Sequence, residues 1–207
     1  MSLATITKRA VLAGIAVATL AAATPVLAQG ADPMAKVNAF YGALVDCMKQ
    51  AKQLGLKGRY DKLAAVVPKS FDVPAMAQAA VGPGWAQIAA PQQQAIVAEF
   101  QRMMVSTYAS RFDDYTGEKF EVSPAVDQGA DKLVKTKLVQ SNGKVVNLNY
   151  LMKAGGDGFR INDIYLDGTI SELAGRRAEF TTILKSGGPD ALIASLKAKS
   201  DKLMAGS

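Results

Sequence analysis

The chain has 207 residues, 24 Lys and Arg against 18 Asp and Glu, a formal net charge of +6, one cysteine and no histidine. Its length fits one domain, since domains run at about 100–200 residues, and its dispersed lysines, with no basic tract among aromatics, argue against a nucleic-acid partner. The single cysteine excludes an intrachain disulfide, and the lack of histidine excludes Ser–His and Cys–His nucleophile systems and the usual zinc sites, so no metal site is predicted.

Residues 1–28 have the pattern of a secretory signal peptide. Lys8 and Arg9 precede the apolar run 10–23, and small residues lead to a cleavage site after Ala28. An uncleaved membrane anchor is the alternative, although the run is short for a span of about 20 residues. The mature chain is expected to be exported and soluble.

The first half of the mature chain has helical periodicity. Asp32 supplies an N-cap and the proline after it a first helical residue, which together predict a helix over 33–54. A second short helix stops before Pro68, and a third begins at Asp72 and ends at the Gly-Pro-Gly of 82–84. The longest predicted helix follows and carries a stripe of large apolar side chains at spacings of three and four: Ile96, Phe100, Met103, Met104, Tyr108, Phe112 and Tyr115.

From Lys119 the apolar period changes to two, which is typical of strands. Asn142-Gly143 predicts a tight hairpin of the primed type. The glycine-rich 154–159 is predicted to be a hairpin turn and not a phosphate-binding loop, because a strand follows it instead of a helix. The sequence therefore predicts an antiparallel meander of four strands, over 119–126, 132–140, 144–153 and 159–166.

Two helices close the chain, one over 171–186 and one that begins at Pro189, with a glycine pair between them. Gly168 is interpreted as the corner where the last strand passes into the first of these helices. The expected fold is α+β: a four-stranded antiparallel sheet covered by N-terminal and C-terminal helices, in one domain over 29–207.

The predicted sheet has one apolar face, and the methionine-rich long helix is its natural cover. In one interpretation the facing side chains fill an ordinary core. In the other, helix and sheet stand apart and leave an apolar cavity, a use that suits the flexible, polarizable methionine side chain. Periodicity alone leaves both interpretations open.

Four motifs, with a glutamine-rich helix entry and Phe100 between the first and the second, occur in an order that resembles the MlaC-like family of periplasmic phospholipid-binding proteins, also called the toluene-tolerance auxiliary family. They are SFDVPAMAQAAVGPGW (70–85), YASRFDDY (108–115), GGDGFRINDIYLDGTISELAGRRAEF (155–180) and GGPDALIASL (187–196). The resemblance extends over about 40–203, and DGTISELAGRRAEF is similar to the hopanoid-associated HpnM branch. The commoner family pattern has Trp-Lys-Val where this chain has Phe159-Arg160-Ile161.

This resemblance implies a periplasmic lipid carrier with no catalytic activity and no cofactor apart from its lipid cargo. Such a carrier holds the apolar chains of a phospholipid or hopanoid between sheet and helices. The partners it implies are an inner-membrane lipid transporter complex and an outer-membrane lipoprotein. The side chains expected to line the cavity are Val73, Met76, Trp85, Phe100, Met103, Met104, Tyr108, Phe112, Leu138, Leu148, Tyr150 and Met152.

Two arginines have alternative roles in this scheme. Arg111 and Arg176 either pair with a phosphate headgroup or form salt bridges with the nearby carboxylates of Asp113, Asp114 and Glu172.

Two other classes of function stay open at this stage. One is an envelope adaptor that bridges proteins and binds no lipid. The other is a small cone-shaped α+β enzyme that uses Asp163, Tyr115 and Arg111 as acid–base groups.

Overall fold

The computed structural model describes residues 32–156 and 158–206, so the predicted signal peptide lies outside the described residues. Within these ranges, no helix has both the length and the apolar character needed to cross a membrane. The elements in chain order are α1 (Pro33–Lys49), α2 (Ala51–Ala64), α3 (Val67–Ser70), α4 (Val73–Val81), a 3₁₀ turn (Gly82–Gln87), α5 (Ala90–Arg111), β1 (Lys119–Val122), β2 (Val126–Gln128), β3 (Asp131–Val139), β4 (Val145–Gly155), β5 (Gly158–Leu166), β6 (Ile170–Ser171) and α6 (Glu172–Met204).

The helix starts follow the predicted capping chemistry. The Asp32 side chain accepts a hydrogen bond from Met34 N at 2.9 Å, and Pro33 occupies the first turn of α1. The predicted helix over 33–54 is wrong at its end, because the chain leaves helical geometry at Gln50 and again at Gly55, where φ is 61°.

The α+β class and the antiparallel sheet are confirmed, but the count of four strands is wrong. The sheet has six strands in the order β1-β3-β4-β5-β6, with β2 also pairing with β3, and every pair is antiparallel. The first predicted strand is split between β1 and β2 at Pro124, because proline has no N–H to give to a ladder. The sixth strand is a two-residue pairing of Ile170 and Ser171 with the end of β5.

The hairpin between β3 and β4 is confirmed, but its turn type is not the predicted one. A two-residue turn of either primed type needs positive φ at its first central residue, which here would be Asn142. Gly143 has φ 82°, but the φ of Asn142 is not positive, because Asp167 is the only non-glycine residue with positive φ in the described part of the chain. Gly143 N donates to Gln140 O at 2.9 Å, and Gln140 N donates to Lys144 O at 2.8 Å, which leaves a three-residue loop.

The two predicted C-terminal helices form α6, with a kink at Gly188, where φ is 67° and ψ is −166°. Helix α6 packs along α5, and the rings of Phe100 and Phe180 meet edge to face at 6.1 Å. The buried core lies between α1, α4, α5, α6 and one face of the sheet. The helices thus cover one face of the sheet: α1, α3, α4 and α6 contact its strands directly, and α5 packs against α2, α4 and α6.

Candidate functional site

A pocket of about 270 Å³ lies between the covering helices and the sheet. Helix α5 contributes side chains one turn apart, from Phe100 to Arg111, because residues three and four apart share a helix face, and its C-cap residue Phe112 also lines the pocket. Strand β4 contributes Val146, Leu148 and Tyr150, because alternate residues of a strand share one face of the sheet. Most of this lining is apolar.

Nine of the twelve predicted lining residues lie around this pocket: Met76, Phe100, Met103, Met104, Tyr108, Phe112, Leu138, Leu148 and Tyr150. The other three lie elsewhere. Val73 and Met152 are buried in the core, and Met152 pairs with Ile161 further along β4. Trp85 is half-buried in the 3₁₀ turn, where its carbonyl accepts a hydrogen bond from Gln93 Nε2 at 2.8 Å. That the twelve predicted lining residues contact lipid is still a prediction.

Sequence reasoning missed several lining residues. Val146 shares the β4 face of Leu148, so strand alternation alone would have found it. The ring of Tyr41 stacks on Phe120 at 4.2 Å, a contact between α1 and β1 that no local pattern predicts. Arg111 and Arg176, predicted as headgroup or salt-bridge partners, also line the pocket, and the other lining residues that were not predicted are Tyr41, Leu44, Thr107, Phe120, Val146, Ile164, Leu166, Glu172 and Leu173.

Three hydroxyl groups form a hydrogen-bonded cluster at the sheet side of the pocket. Tyr41 hydrogen-bonds to Thr136 Oγ1 at 2.6 Å and donates to the Tyr150 hydroxyl at 2.9 Å, and Thr136 donates to the carbonyl of Leu148. Burial raises the pKa of Tyr41 to about 12, although its two hydrogen bonds act in the opposite direction. Burial also raises the pKa of Tyr150 well above its ordinary value. Both tyrosines are therefore neutral at physiological pH.

Tyr108 differs from these two tyrosines. Its ring contacts those of Phe40, Phe71 and Phe112 at centroid distances of 5.3, 6.0 and 5.9 Å. Burial raises the pKa of Tyr108, and Arg111 partly opposes that increase. Its hydroxyl, however, forms no hydrogen bond with any described residue.

Charged side chains occupy one part of the pocket wall, contributed by α5 and α6. Arg176 lies 3.7 Å from Glu172 and 3.1 Å from Glu179, so its predicted salt bridge with Glu172 is found. Arg111 is exposed and forms no ion pair or side-chain hydrogen bond within residues 32–156 and 158–206, and the Asp114 that it was expected to pair with lies 3.7 Å from Lys52 instead. The wall thus presents one neutralised arginine and one unpaired arginine.

The comparisons with known proteins agree with this architecture. Residues 39–198, most of the chain, match the sequence model of the MlaC protein family. This chain belongs to the MlaC family. A search of curated proteins gives no match. A phospholipid-binding protein from Ralstonia solanacearum, solved in complex with a phospholipid, has a similar fold, with a TM-score of 0.74 and 22% identity over 84% of this chain and 99% of that one.

The MlaC family resemblance inferred from the sequence motifs is therefore confirmed, whereas the HpnM branch stays a prediction. The motif on which that branch depends, residues 167–180, forms the corner at Gly168, strand β6 and the first turns of α6.

In this MlaC chain, Asp163 has a structural role at the corner between β5 and α6. It is 7% exposed and accepts hydrogen bonds from Ile164 N at 2.7 Å, Ser171 Oγ at 2.5 Å and Leu173 N at 3.2 Å. Its carboxylate thus satisfies the first turn of α6, where backbone N–H groups lack helical partners.

The three acid–base candidates of the enzyme hypothesis do not share the pocket. The Tyr115 ring lies below Lys49 Nζ at 5.3 Å, and of Asp163, Tyr115 and Arg111 only Arg111 lines the pocket. The described residues also contain no group of three or more His, Cys, Asp or Glu side chains that could hold a metal ion.

Proposed function

We propose that this protein is a lipid carrier that holds the apolar chains of a phospholipid or hopanoid in the pocket between α5 and the sheet. The apolar lining of that pocket carries the proposal. Membership of the MlaC family supports it, as does the likeness in fold to a protein solved with a phospholipid bound. These same observations favour a carrier over an enzyme.

The physical logic of such a carrier depends on methylene burial. Each buried methylene gains about 0.8 kcal/mol, so a lipid chain needs a closed apolar site to travel through water. That gain also makes spontaneous release slow. We propose that the protein works in the periplasm and exchanges its cargo with an inner-membrane transporter complex and an outer-membrane lipoprotein.

The size of the pocket limits what it takes without rearrangement. Its volume of about 270 Å³ falls just below the range of about 300–1,000 Å³ typical of sites for drug-sized ligands. In this proposal the pocket accepts part of one chain as it stands, and a two-chain lipid needs α5 and the sheet to separate further.

Lipid extraction from the purified full-length product, followed by mass spectrometry, tests the proposal. The wild-type protein is expected to carry near-stoichiometric lipid. Leu148→Trp fills the pocket from β4 and is expected to remove most of that lipid, whereas Asn147→Trp places the same ring on the exposed opposite face of the same strand and is expected to leave it. A folded wild-type protein that carries no lipid would contradict the proposal and favour the adaptor.

Transfer between membranes needs its own assay. Donor vesicles with labelled phospholipid and unlabelled acceptor vesicles are expected to exchange lipid faster with the wild-type protein than with Leu148→Trp. Equal rates of lipid exchange for both proteins would show that lipid binding does not lead to transport and would contradict the proposed transfer between membranes.

A further inference from the structure

The polar groups that line the pocket divide into those with protein partners and those without. Tyr41 and Tyr150 bond to each other, and Thr107 donates to Met103 O at 2.8 Å. Arg176 and Glu172 lie 3.7 Å apart. Within the described part of the chain, the polar side chains of the lining that have no partner are the Tyr108 hydroxyl and the Arg111 guanidinium.

These two groups belong to one short stretch of α5. Residues three apart in a helix are neighbours on the same face, and both side chains line the pocket. Arg111 is in the last turn of α5 and is exposed, whereas the Tyr108 ring is packed among phenylalanines. The pair therefore extends from the apolar interior to the solvent.

Both groups are hydrogen-bond donors suited to an anionic oxygen. A guanidinium presents a planar fork of N–H groups that matches phosphate geometry, and charge-assisted bonds are about twice as strong as neutral ones. A tyrosine that stays protonated offers one further donor. Because neither donor has a hydrogen-bond partner in the described part of the protein, binding an anion there breaks no existing hydrogen bond.

We propose that Tyr108 and Arg111 form a two-donor site for the phosphodiester of the lipid whose chains occupy the pocket. The inference rests on the proposed function and gives it a chemical preference: a phosphate-bearing lipid over an uncharged one, including an uncharged polycyclic lipid. The phosphate lies at the exposed end of the pair, and the apolar chains point inward past Tyr108.

The test compares two lipids that have the same chains, phosphatidylglycerol and diacylglycerol, by displacement of a fluorescent fatty acid from the full-length protein. Arg111→Gln is expected to weaken phosphatidylglycerol binding roughly five- to tenfold and Tyr108→Phe roughly two- to fivefold, with diacylglycerol unchanged. Arg111→Lys keeps the charge and is expected to recover part of the loss. Arg102→Gln removes the same charge from α5 at a residue that lies outside the pocket and pairs with Asp201, and is expected to change neither lipid.

The outcomes separate this inference from the function on which it rests. Lack of binding of both lipids by the wild-type protein would remove the proposed function itself. If the wild-type protein binds both lipids and Arg111→Gln weakens the binding of both equally, or of neither, the carrier function stands and the phosphate site is overturned. Displacement of phosphatidylglycerol by excess inorganic phosphate as readily as by a second phospholipid would assign the two donors to free phosphate and also overturn the inference.

Both variants are expected to fold. Each removed group lacks a protein partner, so its loss leaves no buried atom unsatisfied. Far-ultraviolet circular dichroism and a thermal transition within about 2 °C of wild type, which corresponds to less than about 1 kcal/mol in a domain of this size, are the folding controls.

Discussion

Replacing Asp163 with asparagine removes the charge that joins the end of the sheet to the start of α6. In the wild-type protein one carboxylate oxygen accepts from Ile164 N and Leu173 N, and the other accepts from Ser171 Oγ. The amide of asparagine keeps one of these oxygens and places an NH₂ group in the position of the other. It also removes a negative charge from the N-terminus of a helix, where negative charge is favourable.

The expected cost follows from these contacts. A hydrogen bond to a charged group contributes about 1.5–3 kcal/mol and a neutral one about 0.5–1.5 kcal/mol, and the helix N-terminus adds roughly 0.3–1 kcal/mol. Because Asp163 is only 7% exposed, water replaces little of the loss. We expect Asp163→Asn to lower the free energy of unfolding by about 2–3 kcal/mol, or the melting temperature by roughly 4–12 °C.

A matched control lies four residues away. Asp167 is exposed and has φ 48°, a conformation that asparagine adopts as readily as aspartate, so Asp167→Asn removes the same charge without loss of a buried contact. Thermal and urea unfolding of the two variants give the comparison. An unchanged melting temperature for Asp163→Asn, or an equal decrease for Asp167→Asn, would refute the structural role assigned to Asp163. Lipid content is expected to stay at the wild-type level, because Asp163 does not line the pocket.

Three further predictions concern the tyrosine cluster and the corner. Tyr150→Phe removes the acceptor of the 2.9 Å bond from Tyr41 and is expected to cost about 1 kcal/mol in urea unfolding; no change would mean that this bond contributes nothing. The pKa of Tyr41 is about 12 in the folded protein and 10.0 in the unfolded chain. The contribution of this difference to the free energy of unfolding is therefore complete below pH 10 and is lost as pH rises through 12, at about 1.4 kcal/mol per pH unit. Tyr41→Phe is expected to reduce this slope of stability against pH. Gly168→Ala places a Cβ at φ +83°, 3.4 Å from Asn149 Nδ2, and is expected to cost about 1–2 kcal/mol, whereas wild-type stability would show that the corner relaxes.

Periodicity predicted the elements whose packing repeats along the chain. The stripe of α5 from Phe100 to Tyr108 was visible as spacings of three and four, and it forms part of the helical wall of the pocket. The two faces of β4 followed from alternation. These parts are predictable because each buries one continuous face.

The features of the sheet that were missed do not repeat along the chain and so leave no periodic pattern in the sequence. Strand β5 contains an extra residue, since Leu151 pairs with Asp163 while Met152 pairs with Ile161. Three consecutive residues, 161–163, are therefore buried, and an alternating pattern cannot show this. Strand β6 has only two residues, too few for any periodicity.

Long-range contacts set a second limit on prediction. The Tyr41 stripe of α1 is visible in the sequence, but its hydrogen bonds to Thr136 and Tyr150 join residues about a hundred positions apart. Likewise, nothing near Arg111 in the sequence shows that Asp114 lies 3.7 Å from Lys52 and that Arg111 has no such partner. Those pairings depend on the three-dimensional arrangement of α1, α2 and the sheet.

Trp85 lies apart from the three of the six tyrosines that line the pocket. Trp85 is the only tryptophan, and it lies in the 3₁₀ turn outside the pocket, whereas Tyr41, Tyr108 and Tyr150 line the pocket. Indole fluorescence is therefore expected to follow unfolding of the helices, while a change in near-ultraviolet circular dichroism from Tyr41, Tyr108 and Tyr150 is expected when lipid enters the pocket. Loading and unfolding can thus be read from one unlabelled sample at two wavelengths.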